Sequence, residues 1–340
     1  MSEPDKPVAV SIAASACGTS GVADYARFLA CALRDIGYEV RSQQAAVDVA
    51  IYNYAPYAAG VYLGWLRGVH DAWRLRRLAR RLVVVFHEVF ERPDDRLRMR
   101  VFAMLQRWAT RRLVAAAAAT VVADASRARR LASLCPRLPP PAIVPVGPNV
   151  PIRDVGRRAA PPVVVTFGLL HPDRDLETLV EAAGLLRQDV PRLRVRIIGD
   201  LRADAARARR LRELVETRAA PVAIEGKLSA NAIADALADA RVFVSTYTRA
   251  VSLGSGTVAA ALAYGLAVVV YDGVELHEEL VPGSTVLVAE REPYALAATI
   301  SAALGAVGER VGASGRALYE RRLAWPRIAE RMAGVIDRSL

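Results

Sequence analysis

One feature limits the folds open to this chain more than any other. Short apolar runs of strand length alternate with longer stretches of helical periodicity, and they do so twice. The first series predicts strands over 7–13, 39–41, 47–52, 82–86, 119–122 and 142–146. Helices are predicted over 22–36, 58–81, 94–115 and 125–134. Residues 147–162, rich in Pro, Gly and Arg, interrupt the pattern and read as a linker. The second series predicts strands over 163–167, 195–198, 222–225, 242–245 and 267–271. Its helices fall over 176–186, 204–218, 230–237, 256–264, 293–305, 311–321 and 326–339. Such alternation builds parallel sheets covered by helices on both faces. Two series around a linker predict two doubly wound, Rossmann-like α/β domains, which suits a length of 340 residues.

Ligands of doubly wound sheets bind beyond the carboxyl ends of the strands. The loops to search are therefore 14–21, 53–57, 87–93, 168–175, 226–229, 246–256 and 272–278. Ser252-Leu253-Gly254-Ser255-Gly256-Thr257 follows a strand and opens a helix. Glycines admit a ligand close to the backbone, and the free amides and hydroxyls at a helix start suit a phosphate. An ordinary capped turn has the same composition. Gly18-Thr19-Ser20-Gly21 is a similar loop after the first strand. One anion-friendly loop in each domain suits a diphosphate. Gly168 ends a strand, and Arg174 stands where a cation reaches a phosphate or simply lies on the surface. His87, at another strand end, reads as a polar contact, an acid/base group or a structural histidine.

Other classes are less compatible with the composition. No apolar run approaches the roughly 18–20 residues of a membrane span. The first residues lack the basic and long apolar regions of a signal peptide, so a cytoplasmic protein is expected. Cys17, Cys31 and Cys135 are scattered, as are His70, His87, His171 and His277, so neither a disulfide framework nor a metal site is expected. The net charge is +11, carried almost wholly by arginine, since Lys6 and Lys227 are the only lysines. Arginines concentrate between Arg67 and Arg81 and between Arg92 and Arg112. Such patches attract phosphates on nucleic acid, lipid or nucleotide, or are solvated helix faces. No nucleic-acid motif accompanies them, so no nucleic-acid partner is expected.

At these residues the chain resembles the GT-B glycosyltransferases, and among them the retaining family 4 enzymes of glycosyltransferase group 1. The resemblance rests on CGTSGVADYARFLACAL near the start, VVVFHEVF at 83–90, VVADASRARRLASL at 121–134, VTFGLLHPDRDLETLVEAAGLL at 165–186 and SLGSGTVAAALAYGLAVVVYDG at 252–273. The ending LAWPRIAERMAGVI is similar to the family's terminal helix, which crosses back to the first domain. The resemblance implies two facing domains with a cleft between them. Residues 1–155, joined by 324–340, would bind the acceptor, and 156–323 would bind the donor.

It further implies a metal-independent transfer from a nucleotide-diphosphate sugar to a hydroxyl acceptor, with no cofactor. Gly21, Gly168, Arg174, Gly226, Lys227, Leu228, Ser252, Gly254, Ser255, Gly256 and Thr257 would hold the donor. Arg174 would neutralise the leaving diphosphate, and His87 would lie near the reacting sugar. The acceptor would be a glycan, a small molecule or a lipid-linked group, the last reached by peripheral contact with an anionic membrane through the basic helices. The chain departs from the family pattern where two glutamates often stand, at Ser252 and Ala260, and where an arginine is frequent, at Leu169. A catalytically silent partner of another glycosyltransferase is the alternative expectation. A sugar-nucleotide epimerase, which needs paired carboxylates, ranks below both.

Overall fold

A computed structural model describes residues 7–15, 21–56, 64–90, 97–153, 162–169, 173–200 and 204–340. The chain divides into two compact units, Met1–Gly147 with Trp325–Leu340, and Pro148–Ala324.

The first unit runs β1 (Ala9–Ala14), α1 (Gly21–Asp35), β2 (Glu39–Arg41), β3 (Val47–Tyr54), α2 (Gly64–Leu78), β4 (Ala79–Phe86), α3 (Leu97–Ala116), β5 (Ala119–Val122), α4 (Ala125–Leu134) and β6 (Ala142–Ile143). Its strands form one parallel sheet in the order β2-β1-β3-β4-β5-β6. Period-two alternation splits the side chains between two cores. Val49, Ile51, Val83, Val85 and Val121 pack on one face. Ala50, Tyr52, Val84, Phe86 and Val122 pack on the other.

The second unit runs β7 (Val163–Phe167), α5 (Leu176–Leu186), β8 (Arg194–Ile198), α6 (Ala205–Thr217), β9 (Val222–Glu225), α7 (Ala230–Asp239), β10 (Val242–Ser245), β11 (Ala250–Val251), α8 (Gly256–Ala263), β12 (Ala267–Tyr271), β13 (Glu275–Leu276), β14 (Leu287–Ala289), α9 (Pro293–Ala303) and α10 (Ala306–Leu318). Six of its strands make a parallel sheet, β14-β12-β10-β7-β8-β9, and β11 pairs with β13. A π-helical turn, Tyr319–Leu323, follows α10. The last helix, α11 (Trp325–Ser339), belongs to the first unit and packs on α1. It buries Ile328, Ala329, Met332, Val335 and Ile336, an apolar stripe at helical spacing. Ile328, Met332, Val335 and Ile336 each contribute about 1.5–3 kcal/mol.

Three expectations need correction. The helix expected over 58–81 ends at Leu78, because Ala79 and Arg81 pair with Val47 and Val49 of β3. Ladder pairing overrides the helical preference of the arginines there. Residues 57–63 and 91–96 lie outside the described residues, with the starts of the helices expected from 58 and 94. The helix expected from 311 begins at Ala306. Its glycines are contact points and do not break it: a Cβ on Gly312 would lie 2.2 Å from the Gly265 carbonyl oxygen. Finally, β11, β13 and β14 were not expected, being only two or three residues long.

Candidate functional site

In each sheet the strand order reverses beside the first strand, and a crevice at such a switch point is where doubly wound folds bind ligands. In the second unit the reversal falls between β7 and β10, because β8 and β9 lie on one side and β12 and β14 on the other. The carboxyl ends of β7 and β10 are Phe167-Gly168 and Ser245-Thr246.

Arg174 joins these two ends. Its Nε donates to Thr246 Oγ1 at 2.9 Å, Nη1 to the Phe167 carbonyl at 2.9 Å, and Nη2 to Thr166 Oγ1 at 2.6 Å. Its guanidinium also lies 4.9 Å from the Tyr247 ring centroid. The residue is 0% exposed, so the surface-cation reading is corrected: the guanidinium faces inward. Burial lowers its pKa, yet an arginine keeps its proton at any physiological pH.

The surrounding charges do not cancel. Asp175 caps α5 through the Thr178 amide and binds Arg291 at 2.6 Å. Burial alone would raise its pKa, but Arg291 and Thr178 hold it below the usual carboxylate range. Glu177 takes two bonds of 2.9 Å from Arg207, and these likewise outweigh burial and lower its pKa. Arg207 also donates to the Arg174 carbonyl. Arg291 and Arg207 are thus each matched by a carboxylate. Among the described residues no carboxylate pairs with Arg174, so one positive charge stays uncompensated at the switch point.

The start of α8 lies against this charge. A Cβ on Gly168, whose φ is +122°, would meet Thr257 Cγ2 at 3.1 Å and Arg174 Nη1 at 3.2 Å. Only glycine suits that backbone and that space. Ser255 caps α8, accepting from the Val258 amide, and exchanges a 3.0 Å hydrogen bond with Thr257. The geometry of a helix start leaves the Gly256 and Thr257 amides without intrahelical acceptors. Ser252 Oγ accepts from the Gly254 amide at 3.1 Å and shapes the preceding turn. The buried Ser245 Oγ and Asn149 Oδ1 have no hydrogen-bond partner, and Asn149 lies where a Cβ on Gly256 would meet it at 3.1 Å. A buried polar atom without a partner stands ready for a ligand.

Of the expected donor residues, the structure brings together Gly168, Arg174 and Thr257, with Ser252, Gly254, Ser255 and Gly256 on the adjoining turn. Gly226, Lys227 and Leu228 lie apart, after edge strand β9. Strands β7 and β9 are two ladder spacings apart, about 10 Å. A Cβ on Gly226 would meet nothing within 4 Å. Thr166, Thr246, Asn149, Arg207 and Arg291 were not foreseen. Thr246, Arg207 and Arg291 meet partners far off in sequence, 72, 30 and 116 residues away, and no local motif marks any of the five.

The first unit's switch point lies between β1 and β3, and among the described residues the one cation against its histidine, Arg127, is matched by Asp124 and Glu88. Asn53 donates to the Ala13 carbonyl at 3.1 Å, which turns its Oδ1 toward His87 Nε2, also at 3.1 Å. That contact needs the proton on Nε2. Burial, with the charge of Arg127, lowers the His87 pKa to about 3. The imidazole is therefore neutral at physiological pH, which favours a polar contact over a general base. Arg127 donates to the His87 carbonyl at 2.9 Å, and the Tyr25 ring meets the imidazole edge-on at 4.7 Å. Gly21 begins α1 with open space at its Cβ, while Gly18, Thr19 and Ser20 lie outside the described residues. Among the described residues, no cluster of His, Cys, Asp or Glu is placed to hold a metal ion, and no helix is long and apolar enough to cross a membrane.

Two doubly wound units, each with a six-stranded parallel sheet, make the architecture of the GT-B glycosyltransferases. The chain is similar to sucrose-phosphate synthase from Thermosynechococcus elongatus, at 17% identity and a TM-score of 0.73 over 97% of this chain and 98% of that one. It is similar to Anabaena HepE in complex with UDP, at 14% identity and a TM-score of 0.69 over 97% and 99%. It is also similar to WaaG, a glycosyltransferase involved in lipopolysaccharide biosynthesis, at 13% identity and a TM-score of 0.65 over 96% and 99%. At these identities the likeness establishes the fold. Residues 161–305 match the family of glycosyl transferases group 1. That match covers most of the second unit and less than half of the chain. No curated protein matches the chain.

Proposed function

We propose that the chain moves a sugar from a nucleoside-diphosphate sugar to a hydroxyl acceptor, with retention and without a metal. The observation that carries this reading is the uncompensated Arg174 charge beneath the capped start of α8. A buried cation and oriented amides stabilise an anionic leaving group in place of a metal. The diphosphate would accept bonds from the Gly256 and Thr257 amides and the Thr257 hydroxyl. Arg174 acts as a positioning residue that holds both strand ends and supplies field. The base would reach Gly226, Lys227 and Leu228, at a distance that suits a nucleoside. HepE was solved with UDP and with UDP-glucose, which supports the donor class. In the transfer, the C1–O bond to the diphosphate breaks and the acceptor oxygen forms the new bond on the same face. Its proton passes to a phosphate oxygen.

The test is release of nucleoside diphosphate from a panel of nucleotide sugars, with and without EDTA. Turnover unchanged by EDTA is expected. Loss of turnover on chelation would remove the metal-free reading, and an absence of both turnover and nucleotide binding would remove the donor.

The silent-partner reading is favoured by Ser252 and Ala260. Ala260 is fully buried, so no carboxylate can stand there without rebuilding the core. Nucleotide binding with no release of product from any donor would support it.

For the acceptor, a lipid-linked group is supported by the outer face of α2 and α3. Trp73, Trp108 and Met104 are exposed there, and Arg77 and Arg112 lie over the two indoles at 3.5 and 5.4 Å. Indole and guanidinium together suit an anionic lipid interface. Sedimentation with anionic vesicles, lost at high salt, is expected. No binding at low salt would favour a water-soluble acceptor.

A further inference from the structure

The first unit holds a cavity of about 580 Å³ at the edge of its sheet, where β2 ends. Strand β2 pairs with Ala9, Val10 and Ser11 only, so the second half of β1 has no strand beyond it. Gln43 Nε2 partly replaces the missing strand, donating to the Ile12 carbonyl at 3.1 Å. Ala23, Ala26 and Ala30 line the α1 wall at helical spacing and leave the space open. The size matches sites that hold small molecules, which run to roughly 300–1,000 Å³.

The lining chemistry selects an anion. Arg27, Arg34 and Arg41 stand on one side, Arg67 and Arg74 on the other, and Tyr52 lines the cavity as well. Three of the guanidiniums have carboxylates: Arg27 with Asp24 at 3.1 Å, Arg41 with Glu39 at 2.7 Å, and Arg67 with Asp71 at 3.8 Å. Among the described residues, Arg34 and Arg74 have none. Tyr52 is fully buried, and its hydroxyl makes no direct hydrogen bond, with Ser15 a polar neighbour. Burial pushes its pKa up, so it remains a proton donor. Two unmatched cations and one unused donor around a half-open space complement a group with two negative charges and several acceptor oxygens. A phosphomonoester, at about −1.5 to −2, has that charge.

We infer that this cavity binds a phosphomonoester, with Arg34 and Arg74 matching its charge and Tyr52 donating to an oxygen. The site lies in the first unit, does not include His87 or Asn53, and does not depend on transfer activity. The phosphomonoester belongs either to a water-soluble metabolite or to a lipid headgroup.

Calorimetry on the full chain tests it, with glycerol 1-phosphate as the soluble probe and phosphatidic acid vesicles as the lipid probe. Phosphatidylglycerol vesicles, whose headgroup is a phosphodiester, report general attraction to anionic lipid. Arg34→Ala/Arg74→Ala is expected to weaken the phosphomonoester at least tenfold and to weaken phosphatidylglycerol binding by clearly less, since Arg74 lies on the basic helix α2. Arg209→Ala/Arg210→Ala, which removes equal charge from α6 in the other unit, is expected to change neither. Tyr52→Phe is expected to weaken the probe about tenfold, the worth of one hydrogen bond to a charged group. It should not lower Tm, since the hydroxyl it removes makes no direct hydrogen bond in the fold. Binding of glycerol 1-phosphate identifies a soluble ligand, and binding of phosphatidic acid alone identifies a lipid. No binding of either phosphomonoester would overturn the site. Equal losses in the two arginine pairs, or affinity that survives Arg34→Ala/Arg74→Ala, would overturn it too.

Discussion

The two units share a topology and differ in what fills the switch point. In the second, an unmatched guanidinium ties β7 to β10 beneath a helix start. In the first, an amide, a neutral imidazole and hydroxyls occupy the equivalent place. Ser15 Oγ there both accepts from the Ala55 amide and donates to the Ala55 carbonyl, at 3.0 and 3.3 Å. One crevice thus holds an unmatched charge before any ligand arrives, whereas in the other the nearby Arg127 is matched by Asp124 and Glu88. The contrast teaches that the backbone supplies the crevice and buried side chains set what it holds. On the proposed reading, an anionic donor would belong with the charge and an uncharged hydroxyl with the imidazole.

The largest effect should come from removing the charge. Arg174→Ala leaves Thr166, Thr246 and the Phe167 carbonyl without their partner, at roughly 1–3 kcal/mol for each buried group. A loss of at least ~3 kcal/mol in denaturant unfolding is expected, with nucleotide affinity down more than a hundredfold. Arg174→Lys keeps the charge but not the three-way geometry, and should show a smaller loss in both. If Arg174→Ala bound nucleotide like the wild type, the contrast between the units would fail.

The neutral imidazole should show itself in pH. The native pKa of His87, about 3, lies below its ordinary 6.5, so the unfolded chain takes up a proton that the native state refuses. The contribution is whole above pH 6.5 and is lost as pH falls toward 3, by up to about 1.4 kcal/mol per pH unit. Subtracting the unfolding curve of His87→Gln from that of the wild type should isolate this slope. A flat difference would mean that the imidazole takes up its proton as readily in the fold as in the unfolded chain.

Smaller effects should follow at the backbone. Gly168→Ala forces a side chain into a left-handed conformation against Thr257 and Arg174. A cost of about 2 kcal/mol is expected in unfolding, with a matching drop in nucleotide affinity. Ser255→Ala removes only the cap of α8 and should cost about 1 kcal/mol. Equal costs for the two would mean that Gly168 is not held by its neighbours.

Much of the fold was legible in the sequence, because a buried parallel strand is a continuous apolar run. Val163–Phe167 and Ala267–Tyr271 show this directly. Ala79–Arg81 did not, because its two arginines are exposed at the start of β4 and carry no strand signal. The turn Ser252–Thr257 was legible from its glycines and hydroxyls. The inward direction of Arg174 was not, since it depends on Thr246 arriving from another strand. The same holds for His87, whose tautomer is set by Asn53, 34 residues away. Residue type announces that chemistry is present, and long-range pairing decides which way it points.

The central claim is that an anion sits at the start of α8 above Arg174. Ser255→Asp tests it most directly, because aspartate caps a helix as well as serine does and adds a negative charge at that point. Titration calorimetry with UDP, GDP and ADP, alongside thermal unfolding, should show an unchanged or higher Tm and nucleotide affinity reduced at least a hundredfold. Undiminished affinity in a stably folded Ser255→Asp chain would contradict the claim.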